Sequence, residues 1–369
     1  MTQTKLYTKI LELLEEYQIL PNLSNRKFLS AYLLSLIKVR KVQFCEVGTA
    51  LNDQVLNKSN EQRIAYFFRK VSVDYEACAS FFSSIFPARQ KLDIMIDRTT
   101  WKFGNHTWNV LMVLAYNRHF SLPLYWEFLE NQGGNSDTKI RIAVLEKVVH
   151  LLGKERIAMV LGDREFVGHS WFKYLKDHDI DFCFRMPKHH KIYRSDQDFT
   201  LVESQAEAHW NNHHKAVYLK DCMVDQVWGT VAILPAEKED FCYLFGTKKA
   251  QNLASYYQRR WKIEDFFEQL KSRGFDLESS QINIAERLSK LIACLSLSYA
   301  FCVMTGIFHH LKVQKIKVKN HGRKSNSIFR KGLDIIREVL KNIGNIAEKI
   351  DLALRFLRIN KQKINKIRC

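Results

Sequence analysis

From Leu6 to about Ile85 the apolar residues recur three and four positions apart: Leu6, Ile10, Leu13 and Leu14, then Phe28, Tyr32 and Leu36, then Ile64, Phe67 and Phe68. That is the period of one face of an α-helix, and it predicts about four helices, punctuated at Pro21 and Asn22. Ser24 and Ser59 are the expected N-caps, the second with Gln62 three residues on, as in a capping box. Phe44–Arg69 could fold as a helix-turn-helix whose second helix presents Gln62, Arg63, Arg69 and Lys70; a plain bundle has the same periodicity. Beyond Pro87 the texture changes to β-branched and aromatic runs: Leu92–Ile96, Trp108–Tyr116 and Leu122–Phe128, three strands in succession.

A helical stretch at Lys139–Leu152 leads into Ile157–Leu161, a short apolar run of the kind buried on both faces of a parallel sheet. A helix at His169–Lys176 and a strand at Phe182–Arg185 come next. The order β-β-β-α-β-α-β is similar to that of the ribonuclease-H-like fold, whose chemistry sits at the ends of its first and fourth strands; as a fold analogy it needs site residues to support it. Lys188 to about Phe245 alternates irregularly, with strand-like pieces at Ala216–Leu219, Gln226–Ile233 and Phe241–Phe245, and reads as a β-rich insertion. Helical pattern resumes at Leu253 and breaks near His309–Ser327. The longest apolar stretch, Leu291–Phe308, is interrupted by Ser296, Ser298, Thr305 and Gly306, and is expected to be a buried helix and not a membrane span.

The expected fold class is therefore α/β: a mixed sheet flanked by helices with a β-rich insertion, an N-terminal all-helical domain and a basic helical C-terminal region. The expected boundaries are 1–88 (helical, DNA-binding), 89–187 (core, first part), 188–247 (insertion), 248–310 (core, second part) and 311–369 (basic tail). A length of 369 residues suits two to three such units.

Charge changes the picture. Lys plus Arg number 57 against 39 Asp plus Glu, a formal +18, which points to a polyanionic partner, nucleic acid before an anionic membrane. From Lys312 to Cys369 there are 17 basic residues against Asp334, Glu338, Glu348 and Asp351, so 17 minus 4, or +13, of the +18 is local; phosphate contacts explain such concentration better than a solvated helix. Eight cysteines without a C-x-x-C pair suggest reduced thiols in a cytoplasm. Cys183, Cys222, Cys242 and the His209, His213, His214 group lack zinc-site spacing. The segment Met1–Ile19 carries Lys5, Lys9, Glu12, Glu15 and Glu16 and is expected to be no signal peptide.

Candidate chemistry lies at three places. Asp97 comes after the apolar run Leu92–Ile96, and Asp163 comes after Ile157–Leu161 in the same way. Two such strand ends can lie side by side in a parallel pair, and a third carboxylate would complete a cage for two divalent ions. That third comes from Ser255–Lys271, where at about 100° of turn per residue Tyr257, Arg260, Glu264 and Lys271 fall within about 60° of one another. An i, i+4 salt bridge would by itself explain Arg260 and Glu264; Glu268, on the same side, is the reserve carboxylate.

Tyr257, Arg260, Glu264 and Lys271 match, at every spacing, the Tyr-x2-Arg-x3-Glu-x6-Lys signature of a branch of bacterial insertion-sequence DDE transposases, the IS-four family, which the chain resembles from about Leu92 to Lys271. Asp97 in Ile-Asp-Arg-Thr-x-Trp-Lys-Phe-Gly and Asp163 in Asp-Arg-Glu-Phe resemble that family's two catalytic aspartates. The resemblance implies DNA transposition in a bacterial cytoplasm, at the nucleoid, on double-stranded DNA (transposon ends and target) and by a homodimer in the DNA complex. It implies Asp97, Asp163 and Glu264 as catalytic residues and ligands of two Mg²⁺, with Mn²⁺ able to substitute, and Tyr257, Arg260 and Lys271 as phosphate contacts. End nicking, hairpin formation and opening, and strand transfer would occur in that order. The family also stacks an extruded base on an aromatic residue of the insertion, usually Trp. Counted back from the Thr before the signature helix, this chain has Tyr243 there, with Trp228 and Trp210 as alternatives. The competing readings are a nuclease of the same fold that cuts without joining, and a DNA-binding regulator without catalysis, against which intact Asp97, Asp163 and Glu264 argue.

Overall fold

The computed structural model describes residues 2–103, 106–129, 136–194, 197–213, 216–236, 241–320, 322 and 324–341. The N-terminal periodicity forms five helices, not four: α1 (Thr2–Glu16), α2 (Leu23–Val39), α3 (Phe44–Leu51), α4 (Asn57–Lys70) and α5 (Tyr75–Ser84). The fifth, ten residues long, is too short for its period to stand out. Neither expected serine is the cap. Asn22, in extended backbone, accepts the Ser24 N–H at 2.7 Å and starts α2 two residues earlier, while α4 begins after Leu56 with no side-chain cap, which places Ser59 inside its first turn. Capping is decided by which residue takes the extended conformation before the helix, and Asn serves as well as Ser.

Helices α3 and α4 are consecutive and are tied by Asn60, whose buried amide donates to Gly48 O at 2.9 Å and Asn52 O at 2.7 Å. Gly48 permits the approach, since a Cβ there would meet Asn57 Oδ1 at 2.3 Å. The outer face of α4 leaves Gln62, Arg63, Tyr66, Arg69 and Lys70 exposed. Asn60→Ala would strand two carbonyls and is expected to cost about 2 kcal/mol; urea unfolding followed by circular dichroism measures it, and an unchanged midpoint would show that the amide does not hold the turn.

The sheet starts as an antiparallel meander of β1 (Leu92–Phe103), β2 (His106–Tyr116) and β3 (Ser121–Phe128). After α6 (Thr138–Leu152), β4 (Ile157–Gly162) lies parallel to β1; after α7 (His169–Asp177), β5 (Phe182–Arg185) lies parallel to β4. The inserted segment contributes β6 (Lys191–Arg194), β7 (Gln197–Leu201), α8 (Val202–His213), β8 (Val217–Val224), β9 (Val227–Pro235) and β10 (Phe241–Gly246). Its strands are not a separate layer. β10 pairs antiparallel with β5, so the described strands make one ten-stranded sheet in the order β3-β2-β1-β4-β5-β10-β9-β8-β6-β7.

Then come α9 (Ala250–Tyr257), a 3-10 turn (Gln258–Arg260), α10 (Trp261–Glu268) and a π-turn (Gln269–Arg273). Helices α11 (Ala285–Phe308) and α12 (Ile328–Lys341) complete the described chain. α11 is long and apolar enough to cross a membrane, but 89% of its apolar window is buried inside the fold. The N-terminal helices, β3 and α12 pack around it: Lys290 donates to Phe68 O at 3.0 Å, and Trp126 Nε1 donates to Ser289 Oγ at 2.8 Å. The 28 residues from Asn342 onward, nearly half of the expected basic tail, lie outside the described residues.

Candidate active site

Side chains alternate along a strand, so Asp93, Met95 and Asp97 share one face of β1. The apolar run does not end the strand at Asp97: β1 continues to Phe103 because β2 stays paired with it, Asp97 opposite Met112. What ends there is the parallel pairing, whose last partners are Met95 and Leu161. Continuing that register by two residues sets Asp97 beside Asp163 on the neighbouring strand. Each aspartate turns its carboxylate onto the next backbone N–H, Arg98 N and Arg164 N, at 2.8 Å in both cases.

Helices α9 and α10 lie across this face. Arg259 pairs with Asp93 at 2.8 Å, and Arg260 Nη1 donates to Asp97 Oδ2 at 3.0 Å. Arg260 Nη2 donates to Glu264 Oε1 at 2.6 Å, and the Tyr257 hydroxyl donates to Asp163 Oδ1 at 3.0 Å. Lys271 Nζ donates to Thr100 O at 2.9 Å, pairs with Glu278 at 3.1 Å and lies over the Trp101 ring. Tyr257, Arg260 and Lys271 thus reach β1 and the end of β4, with Glu264 joined to them through Arg260, although the helical path is not uniform. The tight 3-10 turn before α10 and the wide π-turn after it change the phase in opposite senses. Glu268 is turned to Arg273 at 2.8 Å.

Burial pushes the Asp97 carboxyl up to about 6, with Asp163 and Glu165 adding repulsion, against Arg260 and the Arg98 N–H. Burial likewise raises the Tyr257 phenol, with Asp163 adding and Arg260 opposing. Burial works against the charge of Arg260, but Tyr257, Asp97, Asp163 and Glu264 outweigh it and hold the guanidinium protonated. Arg260 is 5% exposed, rests against the Tyr257 and Trp261 rings, and has no hydrogen-bond partner for Nε.

Among the described residues no three His, Cys, Asp or Glu side chains stand close enough to hold an ion. Asp97 and Glu264 meet through the guanidinium between them. The donor set nevertheless fits a hard divalent cation: three carboxylates, of which Asp97 is buried and raised by that burial and by its acidic neighbours, in spite of Arg260.

Three neighbours escaped the reading of the sequence. Arg98 pairs with Glu165 at 2.8 Å and reaches Asn109 at 3.3 Å, joining β1 to the turn after β4; the repeated Asp-Arg at 97–98 and 163–164 was a visible signal. Asp93 and Asp97, four apart on a strand, facing the adjacent Arg259 and Arg260 was another. Of the aromatic candidates, Tyr243 is buried in β10 at 4% exposure. As the sheet stands its ring is covered, whereas β9, equally interior in the sheet, turns a tryptophan outward. Trp228 on β9 is 49% exposed, and the Trp210 side chain lies outside the described residues.

A family profile described as "Transposase DDE domain" matches residues 88–301, a span that includes β1, β4 and the Tyr257–Lys271 segment. A solved structure described as "Cryo-EM structure of piggyBac transposase synaptic complex with hairpin DNA (SNHP)" is similar to the chain with a TM-score of 0.44 and 12% identity, covering 97% of this chain and 82% of that one. No curated protein matches.

Proposed function

We propose that this chain, which belongs to the transposase DDE domain family, is a cut-and-paste transposase of an insertion sequence of the IS-four type, with Asp97, Asp163 and Glu264 as its catalytic carboxylates. The observation that carries the proposal is the meeting of Tyr257 with Asp163 and of Arg260 with both Asp97 and Glu264, the first two across gaps of 94 and 163 residues in the chain. Strands β1 to β5 with their helices serve as a ribonuclease-H-like core. Two divalent cations, Mg²⁺ or Mn²⁺, held by the three carboxylates would activate a water or 3′-hydroxyl and stabilise the leaving oxygen.

The chain's own residues supply the rest. Arg260 offers a bidentate fork to a phosphate, and moving to it frees Asp97 and Glu264, which the guanidinium otherwise neutralises. Tyr257 keeps its hydroxyl on Asp163 and so orients that carboxylate. Lys271, which meets β1 beyond Asp97 at Thr100, grips the backbone further out. Trp228 is the exposed ring on which an unpaired base would stack while the strand bends. The partner is double-stranded DNA, bound as a homodimer that brings two ends together, in the bacterial cytoplasm.

A labelled duplex ending in the sequence that flanks the gene, incubated with the protein and Mg²⁺ or Mn²⁺ and resolved on a denaturing gel, tests this. Nicked, hairpin and joined species are expected in that order. Nicks without joined product would leave a nuclease, and no cleavage with either ion would defeat the proposal.

A further inference from the structure

From Glu286, in the first turn of α11, to Asp334, in α12, the chain carries no carboxylate. A π-turn (His309–Val313) opens the connection between the two helices, and Val318 bridges Lys324 in antiparallel fashion. Ser325 N donates to Lys317 O at 2.8 Å and Gly322 N to Lys319 O at 2.9 Å, with Gly322 at φ +79°, the left-handed backbone a tight tip requires. Ile316 anchors the hairpin, 7% exposed, and its N–H donates to His310 Nδ1 at 2.9 Å. Lys312, Lys315, Lys317, Lys319 and Lys324 are all exposed, and none pairs with a carboxylate among the described residues.

A second loop joins this surface. Asn117 Oδ1 accepts the N–H groups of His119 and Phe120, both at 3.1 Å, and shapes the β2–β3 turn that carries exposed Arg118. His119 is lowered by burial and then by Lys324 and Arg118; His310 is lowered by burial and then by Lys324, Lys315, His119 and His309. The two loops thus sense each other's charge, and no carboxylate among the described residues relieves it.

We propose that this hairpin and the β2–β3 turn form a second DNA-contact surface, which grips the phosphate backbone of the duplex away from the bond being cut. The surface lies beyond the N-terminal end of β1, whereas Asp97 is in mid-strand: the β2–β3 turn comes after Tyr116, the partner of Asp93, and Asp97 faces Met112. Four residues of strand separate the two levels by about 13 Å. Duplex DNA fits better than a bilayer, because Ile316 is buried and the exposed apolar side chains, Leu311, Val313 and Val318, stand singly between the exposed Lys312, Lys315, Lys317 and Lys319. The inference rests on the transposase reading and adds where that enzyme holds its substrate.

The test compares the full-length protein with its Lys315→Ala/Lys317→Ala/Lys319→Ala variant, binding a long duplex without metal over a range of salt. Each lost phosphate contact lowers the slope of log K against log salt by about 0.9, so a drop of about 2 to 3 is expected. A control with Lys154, Lys173 and Lys188, each paired with a carboxylate, changed to Ala should move the slope far less. An unchanged slope in the first variant overturns the proposal, as does an unchanged slope combined with lost binding to phosphatidylserine vesicles. A slope drop in the variant, combined with unaltered protein that never cleaves, would defeat the transposase reading and leave this surface standing.

Discussion

Glu264→Gln is expected to bind a transposon-end duplex as the unaltered protein does while giving no nick, hairpin or joined product, a loss of at least about 10³-fold, or about 4 kcal/mol of barrier. Glutamine keeps the shape and can still accept from Arg260 Nη2 through Oε1. It removes the negative charge that a hard cation needs. All phosphoryl-transfer steps use one set of carboxylates, so they should fail together. Arg260→Ala should fail differently: some nicking survives, and the steps that need a terminal phosphate held in a bent strand decline. Quantified nicked, hairpin and joined bands decide between them. If Glu264→Gln cuts at the unaltered rate, the ligand is elsewhere, and Glu268 would have to leave Arg273 to serve.

The second large effect is on stability. The Asp97 carboxyl, at about 6 in the fold against 3.8 when unperturbed, binds its proton more tightly folded than unfolded. Folding is therefore favoured as pH falls from about 6 to about 4, and the full penalty of the ionised form is present above about 6. At about 1.4 kcal/mol per unit this amounts to about 3 kcal/mol. In metal-free buffer at pH 7.5, Asp97→Asn should be more stable than the unaltered protein by up to that amount, with the difference vanishing near pH 4. Adding Mn²⁺ should reverse the order, since an ion bound only by the folded, unaltered site contributes about 4.1 kcal/mol at 1,000 times its Kd. Urea titrations with EDTA and with Mn²⁺ read both. A variant less stable than the unaltered protein at pH 7.5 without metal would mean that the Arg260 pair outweighs the burial of Asp97.

Local regularities made much of the chain legible. The spacing of Tyr257, Arg260, Glu264 and Lys271 places them on one helical face whatever that face meets, because a helix repeats every few residues. Leu92–Ile96 and Ile157–Leu161 read as strands because short apolar runs suit a sheet covered on both sides, and Leu291–Phe308 read as a buried helix from its small polar interruptions.

Features that depend on partners distant in the chain were not legible. That β1 runs on to Phe103 depends on β2 staying paired with it after β4 has ended. That the inserted strands extend the core sheet depends on the β5–β10 pairing, in which Phe184 meets Phe245 far along the chain. The sequence alone determined which carboxylates and cations the chain carries, and on which faces of which elements. Only the tertiary structure decided that Arg260 stands between Asp97 and Glu264 and that Tyr257 meets Asp163, because burial, charge repulsion and strand register act through space, and periodicity records only neighbours along the chain.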